Sequence, residues 1–151
     1  MANTQAMCTS FKGELLTGVH NFGTGVVRAS TTADTFKAAL YLASATINAT
    51  TTVYTLTGEV TGANYTAGGV TVSNSTAPAT SGTTAYWTPS ASFSWTNVTL
   101  STSFDAVLIY NSTQSNKAVS VHTFGSQTVT AGTFTLTMPT NDSSTGLIRL
   151  A

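Results

Sequence analysis

The residues of this chain with the clearest chemical potential are its carboxylic acids and one group of large aromatic side chains. Hydrolysis of a glycosidic bond needs two carboxyl groups flanking that bond, and aromatic rings can serve as platforms for the sugar. The acids are Glu14, Asp34, Glu59, Asp105 and Asp142, and the aromatic group is Tyr86, Trp87, Phe93 and Trp95. Because tyrosine and tryptophan are also enriched in cores and at interfaces, we expect a core or interface-anchoring role for the aromatic group.

The other reactive residue types show no catalytic or metal-binding pattern. Cys8, His20 and His122 lie far apart in the sequence, and no HExxH or CxxC motif occurs. A serine nucleophile would need a base and an acid within reach, usually on a GxSxG turn, and that motif is also absent. We therefore expect a protein that is not an enzyme and that holds neither metal nor cofactor, with structural or surface roles for both histidines.

The composition indicates an ordered domain with little surface charge. Hydrophobic residues make up 41% of the 151 residues, but charged residues only 7%, where about 25% is usual. Serine and threonine fill the gap, at roughly a third of the chain. With a net charge of +0, such a surface repels its neighbours weakly and favours association. We expect the protein to work inside an assembly; a soluble monomer hydrated by its hydroxyl groups is the alternative.

The basic residues form no patch that could follow a phosphate backbone. They are scattered along the chain as Lys12, Arg28, Lys37, Lys117 and Arg149. Nucleic-acid binding is therefore not expected.

The N-terminus and the cysteine content indicate where the protein is made. Cys8 is the single cysteine, so no internal disulfide can form. Residues 1–10 lack the basic start and apolar middle of a signal peptide. No apolar run approaches the ~18 residues needed to cross a bilayer. We expect synthesis in a cytoplasm, without a secretory route or a membrane partner.

The element around which the chain is organised is the apolar run at residues 104–110. Four residues in succession, Ala106 to Ile109, are apolar, whereas a strand with one wet face would alternate. This pattern predicts a strand that is buried on both faces near the centre of a sheet.

One amphipathic helix is predicted, over residues 10–22. Phe11, Leu15, Val19 and Phe22 are spaced so that they share one helical face. Ser10 is a suitable N-cap. A helix this short must pack against another element to persist, and residues 1–10 before it are expected to form an arm.

The rest of the chain predicts short strands separated by turns rich in Gly, Asn and Pro. Residues 74–84 are expected to form an exposed loop. The predicted strands are residues 35–45, 53–60, 70–73, 98–100, 104–110, 117–124, 126–130, 133–138 and 147–150. For residues 35–45 a helix is the competing prediction, because their alanine and leucine content suits one. Short strands at spacings of about ten residues predict an all-β fold, a β-sandwich or jelly-roll-like domain over residues 23–151, preceded by the N-terminal arm and short helix at residues 1–22.

A weak internal similarity relates two of these strands. Residues 36–44 resemble residues 104–112, and residues 66–72 resemble residues 130–136. A duplicated half-sandwich would explain both, although coincidence in so biased a composition is an equal explanation. On the duplication hypothesis, Lys37 and Asp105 occupy equivalent places and could pair between neighbouring strands.

Three stretches together resemble small structural proteins of tailed bacteriophages. They are residues 34–41 (DTFKAALY), 65–69 (YTAGG) and 104–111 (FDAVLIYN). The resemblance implies a virion component present in many copies, without catalytic residues. The resemblance does not fix the location in the particle; we expect a capsid decoration or cement protein that bridges capsid subunits and stabilises the shell. Tail, head–tail connector and fibre-attachment proteins are the alternatives, and a carbohydrate-binding module using the aromatic group is a second alternative.

The expected partners follow from this resemblance. They are the major capsid protein or other virion proteins and further copies of the chain, for which symmetric capsid sites would favour a trimer. The candidate interface residues are Phe11, Leu15, Val19, Phe22, Tyr86, Trp87 and Trp95.

Overall fold

The computed structural model describes residues 3–8, 10–11, 15, 19–20, 22 and 33–150. The strands are β1 (Ala6–Met7), β2 (Phe36–Leu42), β3 (Val70–Thr71), β4 (Ala79–Ser81), β5 (Thr84–Trp87), β6 (Phe93–Asn111), β7 (Lys117–Leu136) and β8 (Ile148–Leu150). They form two antiparallel sheets with the orders β1-β7-β6-β2-β3 and β4-β5-β8. The prediction of an all-β, sandwich-like fold is confirmed.

Strand β6 is the middle strand of the larger sheet. It pairs with β2 on one side and with β7 on the other. Residues 106–111 are all at most 2% exposed, which confirms the predicted strand buried on both faces. Successive side chains of a strand point to opposite faces, so an unbroken apolar run requires cover on both.

The two longest strands, β6 and β7, form one hairpin, which the sequence pattern predicted as five shorter strands. The strands predicted at residues 98–100 and 104–110 belong to β6, and those at 117–124, 126–130 and 133–138 belong to β7. Bulges carry the pairing through the apparent breaks, and Asn97 (φ 52°) and Ala131 (φ 45°) adopt left-handed backbone conformations beside two of them. The part of the hairpin beyond the pairing with β2, residues 93–103 and 124–136, is called the outer ribbon.

The strand predicted at residues 53–60 is wrong. Val53 and Glu59 make only isolated bridges, to Lys117 and Tyr41 respectively. The alternation of Tyr54 and Leu56 misled the prediction, because Tyr54 packs inward while Leu56 is 66% exposed. The predicted loop at residues 74–84 likewise includes β4 and the start of β5.

The predicted helix is shorter than expected. Ser10, Phe11 and Leu15 are helical, whereas Val19, His20 and Phe22 are not. Its other positions lie outside the described residues. Before it, β1 pairs with β7, so the N-terminal segment joins the larger sheet. No helix among the described residues is long and apolar enough to cross a membrane.

The expected pairing of Lys37 with Asp105 is wrong, although their strands are neighbours. The antiparallel register places Lys37 opposite Tyr110 and Leu42 opposite Phe104. Lys37 therefore lies at the far end of β2 from Asp105. The carboxylate of Asp105 instead accepts a hydrogen bond from Nδ2 of Asn3 (2.5 Å).

Candidate functional site

Glu59 is a buried carboxylate, 5% exposed, that accepts three hydrogen bonds. The hydroxyl of Tyr54 donates to Oε2 (2.6 Å), and the hydroxyl of Tyr65 and the N–H of Gly68 donate to Oε1 (2.8 Å each). Burial of a carboxylate is tolerated when its oxygens are satisfied in this way. The segment from residue 53 to residue 69 folds back on itself and thereby supplies all three donors.

Two further tyrosines complete a cluster around this carboxylate. The hydroxyl of Tyr110 donates to the carbonyl of Gly68 (2.9 Å), and that of Tyr41 donates to the carbonyl of Thr55 (2.5 Å). Burial, together with the nearby charge of Glu59, raises the pKa of Tyr41 and of Tyr110 to about 12. The same two causes raise the pKa values of Tyr54 and Tyr65. The hydroxyls therefore stay protonated and keep donating at neutral pH.

A second buried polar cluster centres on Asn111, which is 0% exposed. Its Nδ2 donates to Oδ2 of Asp34 (2.8 Å) and lies 3.1 Å from Nδ1 of His20. Its Oδ1 accepts the N–H groups of Thr113 and Gln114 (3.1 Å each). One side chain at the end of β6 thus joins the N-terminal segment, the residues before β2 and the β6–β7 turn.

Both clusters position loops; neither has the parts of a catalytic site. General acid–base catalysis needs a titratable group within reach of substrate, but Glu59 and Asp34 are buried and engaged by donors from their own chain. Among the described residues, no three His, Cys, Asp or Glu side chains lie close enough together to hold a metal ion.

The acids considered for glycoside hydrolysis share no hydrogen-bond partners among the described residues. Asp34, Glu59 and Asp105 each have different partners. Asp142 caps its own turn by accepting the N–H groups of Ser144 and Thr145, and these hydrogen bonds lower its pKa. Glu14 lies outside the described residues.

The aromatic group likewise divides into two parts of the core. Trp87 is 2% exposed and packs against Phe22 (ring centroids 4.8 Å apart) and Phe36 (6.2 Å). Trp95 is 4% exposed and lies between Phe93 (6.4 Å) and Phe134 (5.8 Å). Both indoles are therefore almost fully covered by the protein itself.

Five of the candidate interface residues converge on one surface. A groove of about 170 Å³, which we call the apolar groove, lies between the N-terminal segment and the smaller sheet. It is lined by Phe11, Leu15, Phe22, Pro78, Ala85, Tyr86, Trp87, Ile148 and Leu150. Phe11, Phe22 and Trp87 form its buried floor, whereas Leu15 and Tyr86 are half-buried. Trp95 and Val19 do not line this groove.

A second groove lies on the other side of β8 and is partly polar. It encloses about 330 Å³ between β1, β7 and β8, and its lining includes His122 and Arg149. His122 shares a hydrogen bond with the hydroxyl of Ser120 (2.9 Å), and burial lowers the pKa of its imidazole to about 4. The side chain is therefore neutral at physiological pH, in keeping with the structural role expected for it.

Sequence reasoning missed the roles of Glu59 and Asn111. The sequence does contain a signal for the role of Glu59. It is a lone acid in a neutral segment, with Tyr54 and Tyr65 at similar distances on either side. An isolated acid flanked by hydroxyl donors is a candidate for burial. Nothing local distinguishes Asn111 from the other asparagines, because its partners His20 and Asp34 come from distant positions.

The chain has no match among models of protein families, among curated proteins or among solved structures.

Proposed function

We propose that this protein is a capsid decoration protein of a tailed bacteriophage, which stabilises the shell by bridging capsid subunits. The phage assignment rests on the resemblance of residues 34–41, 65–69 and 104–111 described above. The observation that carries the assembly role is the distribution of charge on the folded chain.

Among the residues that the structure describes, few charged side chains are fully exposed. Of the charged residues that the structure describes, Arg149 alone is exposed. Asp34 and Glu59 are buried, and the remaining four, Lys37, Asp105, Lys117 and Asp142, are half-buried. A surface covered instead by serine and threonine does not keep copies apart by charge repulsion. Such a protein suits a crowded shell, where each copy lies against neighbours.

Decoration would act by mass action, because a protein that binds the assembled shell and not its separated subunits stabilises the assembly. The apolar groove is the surface best suited to the contact. Its volume of about 170 Å³ is close to that of a cavity of about 150 Å³ that holds a benzene ring. One large apolar side chain of a capsid subunit would fit, as anchors of protein interfaces do.

A tail, connector or fibre-attachment role would be equally consistent with this neutral surface. The location of the protein in the particle distinguishes these roles from decoration. The carbohydrate-binding alternative is less well supported, because the tryptophans on which it depends are buried.

The test is co-sedimentation of the purified protein with empty capsids of the phage, together with the melting temperature of the capsid. We expect saturable binding that raises this temperature. Leu150→Lys, at the rim of the apolar groove, should weaken binding; Leu56→Lys is the matched control, because Leu56 is also exposed but does not line the groove. Absence of wild-type binding, or equal binding by both variants, would contradict the proposal.

A further inference from the structure

The outer ribbon has a strand edge that no other described strand pairs with. Strand β7 pairs along one side with β6 from Lys117 to Leu136, but on its other side β1 covers only Ser120 and Val121. Among the described residues, no strand pairs with that outer side beyond Val121. Every second residue of an open edge presents an unpaired N–H and C=O, which is a template for another strand.

Natural proteins block such edges with charge, proline or bulges, and only part of this edge is blocked. Residues 122–136 contain no charged residue and no proline. The pairing with β6 is irregular around residues 124–126 and 130–131, and these bulges interrupt the edge. In the last five residues, 132–136, the register shift between Gly132 and Phe134 has its extra residue on β6 and not on β7, and we call these five residues the β7 edge.

The β7 edge also leaves apolar surface incompletely covered. Its burial alternates regularly: Gly132, Phe134 and Leu136 are half-buried, and Thr133 and Thr135 are exposed. Phe134 packs against Phe104 (ring centroids 5.0 Å apart) and Phe124 (5.3 Å), and Phe124 is itself half-buried. A strand added here would satisfy the backbone and cover this aromatic strip together, as strand addition does in peptide recognition.

We propose that the β7 edge pairs antiparallel with the β7 edge of a second copy of this chain about a two-fold axis. Such a contact is self-complementary, because each residue meets its counterpart across the axis. Threonines then adjoin threonines on one face, and Phe134 adjoins apolar residues on the other. No like charges meet, since the edge carries none and the chain has a net charge of +0. The larger sheet would continue across the axis, and the outer side of β7 would gain the backbone partners that it lacks over residues 132–136.

This interface does not depend on the capsid role, and it can be tested on the isolated protein. Sedimentation equilibrium of the wild-type chain should show a dimer. Thr133→Lys places a charge near its own copy at the axis and should raise the dimer dissociation constant roughly tenfold or more. Thr102→Lys is the matched control, an exposed threonine of β6 in the same ribbon, and should leave the constant unchanged. Circular dichroism confirms that both variants fold.

Cysteine cross-linking then locates the contact. Under mild oxidation, a covalent dimer should form in at least one of three samples: Thr133→Cys, Thr135→Cys, or an equimolar mixture of these two variants. Thr102→Cys and Thr128→Cys should give none, and the native Cys8 is buried. A wild-type monomer, or a dimer unaffected by Thr133→Lys, would overturn the proposal. A monomer whose capsid binding is weakened by Thr133→Lys would show that the edge receives a strand of a shell protein instead.

Discussion

The hydroxyl of Tyr65 donates a hydrogen bond to Oε1 of Glu59 (2.8 Å) and accepts one from the N–H of Leu40 (3.0 Å). Leu40 is in the middle of β2, beyond the two residues that β3 covers. The Tyr65 hydroxyl thus takes the place of a backbone acceptor that a neighbouring strand would supply. The N–H of Val60 likewise donates a hydrogen bond to the carbonyl of Leu40 (3.0 Å). The loop over residues 53–69 is therefore attached to the sheet edge through its buried carboxylate.

Removal of the Tyr65 hydroxyl should destabilise the protein. Tyr65→Phe leaves the N–H of Leu40 and one oxygen of Glu59 each short of a partner, at a cost of about 1–3 kcal/mol. Urea unfolding measures the loss. Tyr86→Phe serves as the control, because Tyr86 is half-buried at the apolar groove and its hydroxyl has no described hydrogen bond. In a double-mutant cycle with Glu59→Gln, the two losses should be less than additive; full additivity would contradict the linkage.

Stability should fall in alkali. An unfolded tyrosine ionises near pH 10, whereas burial raises the pKa of Tyr41 and of Tyr110 to about 12 in the folded chain. The folded state therefore retains protons that the unfolded state releases, so the unfolding free energy is complete below pH 10 and declines from pH 10 to pH 12. Urea midpoints measured across this interval, with the tyrosinate absorbance followed in parallel, test this. A midpoint that does not change up to about pH 11 would exclude it.

Acid should destabilise the folded protein through protonation of His122. Burial lowers the pKa of this imidazole to about 4, but an unfolded histidine titrates near 6.5. Between these values the unfolded state binds the additional proton, so stability is complete above pH 6.5 and falls as the pH drops towards 4. Nuclear magnetic resonance titration of the imidazole proton should give the low value directly. His122→Gln should make the unfolding free energy less dependent on pH over this interval; an unchanged dependence would assign it to other groups.

Gly69 should not accept a side chain. Its φ is +70°, and a Cβ built there would lie 1.9 Å from the carbonyl oxygen of Ala38, a backbone atom of β2. Gly69→Ala should cost about 3 kcal/mol or more, from left-handed strain and from the clash together. Gly82→Ala isolates the first effect, because Gly82 has φ +57° with no atom within 4 Å of the added carbon, and it should cost about 1–2 kcal/mol. Equal losses in thermal or urea unfolding would show that the close approach is not maintained in solution.

The sequence predicts the centre of this fold better than its periphery. The unbroken apolar residues 106–109 identify the central part of β6, because a strand buried on both faces has no polar face to alternate with. The division of β6 and β7 into shorter strands failed because bulges at positions such as Asn97 and Ala131 let pairing continue through residues that resemble turns.

The candidate site was predictable only in part. Phe11, Leu15 and Phe22, which the apolar spacing grouped, line one groove with Tyr86 and Trp87, whereas Val19 of the same spacing does not line it. The partners of Glu59 and Asn111 arise from tertiary contacts between distant segments, which no local pattern records. The open β7 edge is visible in sequence only as a long run without charge or proline.

The measurement that tests the assembly role most directly is the number of copies of this protein in purified phage particles, by quantitative mass spectrometry against the major capsid protein. A decoration protein predicts a number comparable with that of the capsid subunits. A count limited to a few copies would place the protein at the portal, tail or fibres. Its absence from particles would contradict a virion role.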